Sequence, residues 1–149
     1  MYSIEEFDQL KTKVLKYIMY KKRTENEVKR KLANEDSELL EDVIDHLKEI
    51  GYINDKSYVE RAVAEFMNLN NLSLKELKYK LQAKGVDIDA MEDYIYSHRE
   101  ELEDYEINSA KNIILKKQNS MEEQNLIQFL LKKGYKMDSI KQAIGLLEE

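Results

Sequence analysis

Cysteine, proline and tryptophan are absent from this chain of 149 residues, and glycine occurs only four times. Without cysteine there is no disulfide framework and no thiolate metal site. Without proline nothing interrupts long helices, and four glycines supply too little turn chemistry for a β-rich chain of this length. No apolar run approaches the roughly 18–20 residues that span a bilayer. Met1 to Asp8 carries early acids instead of the apolar core of a signal peptide. The expectation is a cytoplasmic protein without membrane contact. Histidine is scarce as well: His46 and His98 have no partner at ligand spacing. No phosphate-cradling glycine loop, nucleophile elbow or paired-histidine zinc motif is present. These absences predict no catalytic residue, no metal and no cofactor.

What the chain does have is charge, at 36% of residues, and the charge is blocky. The net charge of −6 hides a stretch from Lys11 to Lys31 with nine basic residues against Glu25 and Glu27. From Asp87 to Glu106 the balance reverses, with nine acids against Arg99. Overall acidity argues against a dedicated nucleic-acid coat but leaves room for a local basic contact. Acidic runs such as Glu100-Glu101-Glu103-Asp104 read as a solvated face or a linker edge.

A helical unit recurs every 49 residues. Leu10, Val14 and Tyr17 recur as Val59, Val63 and Phe66; Thr24 recurs as Ser73. Val28 returns as Leu77 and Leu126, and Leu32 as Leu81 and Leu130. Gly85, Ile88, Asp89, Met91 and Ile95 return as Gly134, Met137, Asp138, Ile140 and Ile144. A period of this length marks a repeat array whose small units stack on their neighbours to complete a shared core.

Within each unit the apolar spacing is helical. Phe7, Leu10, Val14 and Ile18 predict a first helix from about Ile4 to Lys22. Thr24-Glu25-Asn26-Glu27 is a capping box opening a second, with Val28 and Leu32 inward. Leu40, Val43, Ile44, Leu47 and Ile50 predict a third, closed by Gly51. The second unit starts at Asn54 or Asp55 and carries Tyr58, Val59, Ala62, Val63 and Phe66. Its second helix is capped by Ser73 to Glu76 and stopped at Gly85, and its third starts at Asp89 with Met91 and Ile95 inward. The third unit is expected to begin near Asp104, with Ile107, Ala110 and Ile114 inward. Ser120 to Glu123 caps its second helix, which ends at Gly134. Asp138 caps its last, with Ile140, Ile144 and Leu147 inward. No alternating run has the turn chemistry of a strand pair. The predicted fold is all-α: three tandem three-helix repeats, 1–53, 54–99 and 100–149, stacked into an elongated, curved array.

Tyr17, Tyr58, Tyr94 and Tyr135 fall on or beside apolar stripes and are expected in cores. Tyr20, Tyr79, Tyr96 and Tyr105 are candidates for exposed partner contacts, since tyrosine is enriched at interfaces, with core or neutral surface as the plainer reading. Lys29 and Lys78 are repeat-equivalent, as are Lys31 and Lys80; in the third unit the same positions are Ile127 and Phe129. There the helix is apolar on more than one face, through burial against an adjacent repeat or as an apolar docking patch.

Four stretches taken in order resemble the RecX family of bacterial regulators of the RecA recombinase. They are Thr24-Glu25-Asn26-Glu27-Val28-Lys29-Arg30-Lys31-Leu32; then Leu47-Lys48-Glu49-Ile50-Gly51-Tyr52-Ile53-Asn54-Asp55 followed by Tyr58; then Leu77-Lys78-Tyr79-Lys80-Leu81-Gln82-Ala83-Lys84-Gly85-Val86; and Phe129-Leu130-Leu131-Lys132-Lys133-Gly134-Tyr135. The resemblance covers about Leu10 to Leu147. It departs at Ala33-Asn34-Glu35-Asp36-Ser37, which lacks the usual helix-ending glycine, and at Met67 to Leu72, which is uncharged where relatives often carry arginine or lysine. The resemblance implies a regulator that lies along the groove of the RecA filament on DNA and restrains its ATP hydrolysis, strand exchange and growth. Its partner would be the RecA filament, with DNA contact mainly indirect, and the chain itself a monomer. Candidate partner-facing or nucleic-acid-facing residues are Lys22, Arg23, Lys29, Arg30, Lys31, Lys78, Lys80, Lys84, Ile127 and Phe129. A direct DNA-binding module and a general helical scaffold are the rival readings, and an enzyme comes last.

Overall fold

A computed structural model describes residues 1–148. Its elements are helices: α1 (Ile4–Tyr20), α2 (Glu25–Lys31), α3 (Ser37–Glu49), α4 (Asp55–Leu69), α5 (Leu74–Ala83), α6 (Ile88–Ser97), α7 (Arg99–Lys117), α8 (Glu123–Lys133) and α9 (Met137–Glu148). No strand occurs among the described residues. The starts are set by side-chain oxygens accepting from orphan N–H groups. Thr24 and Ser73 form complete capping boxes with Glu27 and Glu76. Ser3, Asp36, Asn54 and Asp87 cap α1, α3, α4 and α6 singly.

Three ends share one geometry. Gly51, Gly85 and Gly134 have φ of +87°, +76° and +104°. After each, the next residue's N–H reaches back to the carbonyl of Leu47, Leu81 or Leu130, a Schellman closure that favours glycine because no Cβ opposes the left-handed turn. The three sites differ in surroundings. A Cβ at Gly51 would meet nothing within 4 Å, whereas one at Gly134 would lie 2.8 Å from Lys75 Cβ and 3.0 Å from Ser73 Oγ. Gly51→Ala should therefore cost about 1–2 kcal/mol, the left-handed backbone alone. Gly134→Ala should cost roughly 3 kcal/mol, since a crowded joint must also shift. Urea unfolding of the two variants checks this; equal losses would mean that the α5/α8 joint relaxes freely.

The helices bury three separate apolar clusters. The first is built from Leu10, Val14, Val28, Val43, Ile44 and Leu47, with Ile53. The second joins Val59, Val63, Leu77, Leu81 and Met91 to Leu102 and Tyr105 of α7. The third contains Ala110, Ile114, Leu126, Leu130, Tyr135 and Ile140. In place of one core shared along the array, each triplet closes around its own, and α7 threads the second and third. The first cluster shares no residue with the second, and polar contacts join those two units. Exposed surface is 9936 Å², against about 7,900 Å² for a compact monomer of this mass. The excess is that of an extended shape.

Several expectations change. The acidic stretch before Ile107 is the first half of α7, which starts at Arg99. Glutamate is a good helix former, and Glu100 and Glu101 in the first turn suit the helix dipole. The buried stripe of α7 includes Glu106 and Ser109, so its polar members hide it from a hydrophobic reading. α1 ends at Tyr20, two residues early. Ile50 is 48% exposed, because the chain is already turning into the Gly51 closure. Leu32 is half-buried at the end of α2. α6 is capped by Asp87 instead of Asp89. Ser120 does not cap α8: its hydroxyl donates to the Lys117 carbonyl, and the cap position is Glu122, with no side-chain bond. α9 is already under way at Asp138, since the Ile140 N–H bonds the Lys136 carbonyl.

Candidate interaction surface

The second helices of the three units run head to tail. At the first joint Thr24 Oγ1 donates to the Lys84 carbonyl at the end of α5 (3.0 Å), and Asn26 Nδ2 donates to the Gly85 carbonyl (2.7 Å). At the second, Ser73 Oγ donates to the Lys133 carbonyl at the end of α8 (2.8 Å). The two hydroxyl–carbonyl bonds lie 49 residues apart. Each satisfies a carbonyl that a helix end would leave unpaired. α8, α5 and α2 thus form a near-continuous row.

A carboxylate from the following unit straddles each joint. Asp55 at the start of α4 accepts from the N–H of Glu25 (3.1 Å) and of Asp87 (2.9 Å). Glu106 of α7 accepts from the Leu74 N–H (3.0 Å) and the Ser139 hydroxyl (2.7 Å). The first carboxylate is half-buried; the second is 1% exposed. Around the second joint, Leu72 N–H donates to the Tyr105 hydroxyl, Ser109 Oγ donates to the Leu72 carbonyl, and Ser109 also bonds the Tyr135 hydroxyl. Burial pushes both tyrosine hydroxyls above their ordinary pKa. Tyr105 is therefore a buried joint residue and not the exposed contact its sequence position suggested.

Most of the candidate cations ride on this row. Lys29, Arg30 and Lys31 end α2; Lys78 and Lys80 lie on α5, with Lys84 as its C-cap. A groove of about 530 Å³ at the first joint brings Lys29, Arg30 and Asn26 against Gln82 and Ala83. Its counterpart of about 470 Å³ at the second brings Lys75, Tyr79 and Lys80 against Lys132 and Lys133. Lys75, Lys132 and Lys133 escaped the sequence reading, although Lys75 and Lys133 sit one period after Asn26 and Lys84. Tyr79 is 73% exposed, as its position implied; so are Tyr20 and Tyr96.

Not every cation is free. Arg30 lies across Gly85, its Nη2 only 2.7 Å from where a Cβ would stand. Lys29 pairs with Glu25 at 3.9 Å, and Lys48 approaches the same carboxylate at 3.0 Å; that hydrogen bond raises the Lys48 pKa. Arg23 stacks on Tyr17 at 4.4 Å and faces Glu27 at 3.7 Å. Lys31 Nζ lies 5.9 Å from the same ring. Lys22 and Arg23 belong to a different cleft of about 490 Å³, with Lys21 and Arg61 as further cations and exposed Tyr20 and Tyr52 beside them. Ile127 and Phe129 pack within their own unit and not against a neighbouring one. Phe129 lies below Lys117 (4.9 Å) and Lys133 (5.8 Å), and Ile127 faces a cavity of the same unit.

His98 stacks on Tyr94 at 3.9 Å, and His46 meets Phe7 edge-on at 5.7 Å. No group of acids and histidines among the described residues could hold a metal ion, and no helix among them is long and apolar enough to cross a membrane. The row offers cations and shallow grooves at both joints, with exposed Tyr79 at the second. Several cations along such an arrangement can act together on an acidic surface.

No family model matches the chain. It is 31% identical over 152 residues to the regulatory protein RecX of Finegoldia magna, covering 97% of this chain and 74% of that protein. It is 31% identical over 136 residues to the regulatory protein RecX of Staphylococcus haemolyticus, covering 88% of this chain and 51% of that one. The chain thus spans about half to three quarters of the length of these relatives. Its fold matches the crystal structure of RecX from Lactobacillus salivarius with a TM-score of 0.82, over 98% of this chain and 99% of that one, at 24% identity.

Proposed function

We propose, from the premise that the chain belongs to the RecX family of regulatory proteins, that it binds the filament of the RecA recombinase on DNA and restrains it. Binding along the filament would slow ATP hydrolysis, strand exchange and filament growth in homologous recombination and DNA repair. The observation that carries this reading is the head-to-tail row α8–α5–α2, with its cationic groove recurring at each joint. A polymer presents the same acidic features at regular intervals, and an extended row can touch several of them. Linked weak contacts gain from effective concentration. If bound chain favours one filament conformation, turnover falls by its differential affinity for that conformation. No side chain of this chain needs to do chemistry in such a role.

The test is DNA-dependent ATP hydrolysis by the cognate RecA. Equimolar or lower amounts of this protein should slow it. A variant with one exposed lysine reversed per helix (Lys31→Glu, Lys80→Glu, Lys132→Glu) leaves every core residue in place, and circular dichroism should show unchanged helix content. Three surface charges at a few tenths of a kcal/mol each should raise the amount needed for half inhibition about fivefold. The difference should narrow with salt, which screens exposed charges beyond about 8–10 Å. Arg30 is left untouched because it spans the first joint. A folded variant that inhibits like the parent would remove the row from the contact. A second reading, direct contact with single-stranded DNA, is favoured by the cleft of Lys21, Lys22 and Arg61 beside Tyr20 and Tyr52, since cations and stacking rings suit unpaired bases.

A further inference from the structure

The two joints of the row are built differently. At the second, only His98 separates α6 from α7, and α7 packs on α5 and α6 as well as on α8 and α9. At the first, residues 50–54 link α3 to α4, and no helix of the first unit packs lengthwise on a helix of the second. What holds the first joint is gathered at one place. Thr24 and Asn26 donate to the Lys84 and Gly85 carbonyls, and Asp55 accepts from the Glu25 and Asp87 amides. A few polar bonds at one point resist separation but resist rotation poorly, since no interdigitated apolar contact has to be unpacked. Hinges absorb their motion in a few link residues of this kind.

A cleft of about 490 Å³ beside this pivot takes its lining from both units. Lys21, Lys22 and Arg23 come from the first unit and Arg61 from α4. No carboxylate lines it, and Lys21, Lys22 and Arg61 have no ion-pair partner among the described residues. Arg23 keeps its Nε buried without an acceptor. The carboxylates that act on Tyr58 in the cleft are Glu27, Glu65 and Asp55. Glu27 is held by the Thr24 N–H and Arg23, and Asp55 by its two amides. Glu65, one turn beyond Arg61, makes no ion pair with it. One period on, the places of Lys21, Lys22, Arg23 and Arg61 hold Asn70, Asn71, Leu72 and Ala110. There Leu72 and Ala110 are buried, and the Leu72 N–H and carbonyl bond Tyr105 and Ser109. Where the second joint is shut on apolar and amide groups, the first has four cations and an open cleft. Like charges brought from two units oppose closure until an anion lies between them.

We propose that the first joint is a hinge, and that a chain of phosphates seated among Lys21, Lys22, Arg23 and Arg61 draws it closed. Guanidinium forks suit phosphate oxygens, and successive phosphates neutralise several cations at once. Closing turns the first unit, and α2 with it, against the α5–α8 part of the row. The hinge shares its cleft with the single-strand reading above and goes beyond it by assigning a movement. It needs neither RecA nor bases, because free polyphosphate and a nucleic-acid strand present the same chemistry.

The chain has no cysteine, so spin labels attach only where cysteine is introduced. Glu38→Cys with Glu92→Cys spans the first joint, and Glu92→Cys with Lys141→Cys spans the second; all three positions are exposed. Double electron–electron resonance at low salt should give a broad distance distribution for the first pair and a narrow one for the second. Sodium tripolyphosphate, and separately a thymidine oligonucleotide, should narrow and shift the first and leave the second unchanged. The triple variant Lys21→Gln, Lys22→Gln, Arg61→Gln changes only exposed side chains and should keep its helix content by circular dichroism. Its half-effective anion concentration should rise at least about fivefold. Equally narrow distributions for both pairs without anion, no shift with either anion, or an undiminished shift in the triple variant would each overturn the hinge. Movement with the oligonucleotide alone, or with poly-glutamate as readily as with tripolyphosphate, would overturn the phosphate clamp. An oligonucleotide that binds by fluorescence anisotropy without moving the labels overturns the hinge and leaves the single-strand reading standing.

Discussion

Replacing Leu81 with alanine is expected to lower stability by roughly 2–5 kcal/mol. Leu81 is fully buried and packs in the second cluster with Val59, Val63, Leu77 and Met91. Its carbonyl also receives the Lys84 N–H and the Val86 N–H that close α5. The lost methyl groups leave a cavity just before the Gly85 turn, where Thr24 and Asn26 donate to the Lys84 and Gly85 carbonyls at the first joint. A packed helical interior relaxes only partly around such a gap. Leu32 occupies the same repeat position but is half-buried, so Leu32→Ala should cost about half as much, in proportion to area removed from water. Chemical denaturation measures both. A loss below about 0.5 kcal/mol at Leu81 would contradict its burial at the centre of that cluster.

Glu106→Ala is expected to cost roughly 2–4 kcal/mol, because it leaves the buried Ser139 hydroxyl and the part-buried Leu74 N–H without acceptors. Asp55 does the corresponding work at the first joint, accepting from the N–H groups of Glu25 and Asp87. It is half-buried, so water can replace it, and Asp55→Ala should cost about 1 kcal/mol. Glu106→Gln keeps one acceptor oxygen and should fall between the two. The difference has a mechanical consequence. The second joint is locked by Glu106, Tyr105, Ser109 and Tyr135 and by the continuous α7, while the first rests on part-buried and exposed polar bonds. Hydrogen exchange should be slower at the Leu74 amide than at the Glu25 amide by a factor that collapses in Glu106→Ala. Equal losses for Asp55→Ala and Glu106→Ala would show that burial does not separate the two joints.

Much of the helical plan was legible because its signals are local. Capping boxes at Thr24 and Ser73 and left-handed glycines at 51, 85 and 134 act within a few residues of the ends they define. Where a signal was local but ambiguous, the reading slipped. Asp87 and Asp89 can both cap a helix, and Ser120 mimics the cap that the period places at Glu122. The acidic run before Ile107 was harder. A buried stripe containing Glu106 and Ser109 has no hydrophobic signature, so the first half of α7 read as a solvated edge.

The sequence by itself determined the helices, the 49-residue period and the basic character of the second helix in the first two units. The helices and their charge depend on neighbours within one or two turns, and the period is read by setting the chain against itself. Only the tertiary structure decided that those helices line up end to end, because the bonds that align them, Thr24 to Lys84 and Ser73 to Lys133, each span 60 residues. The same holds for the fate of single side chains. Tyr79 and Tyr105 are alike as amino acids on helices, yet one is open to solvent and the other bonds the Leu72 amide inside a joint. A side chain's intrinsic chemistry sets what it can bond, and packing against residues distant in the chain sets whether water or protein answers it.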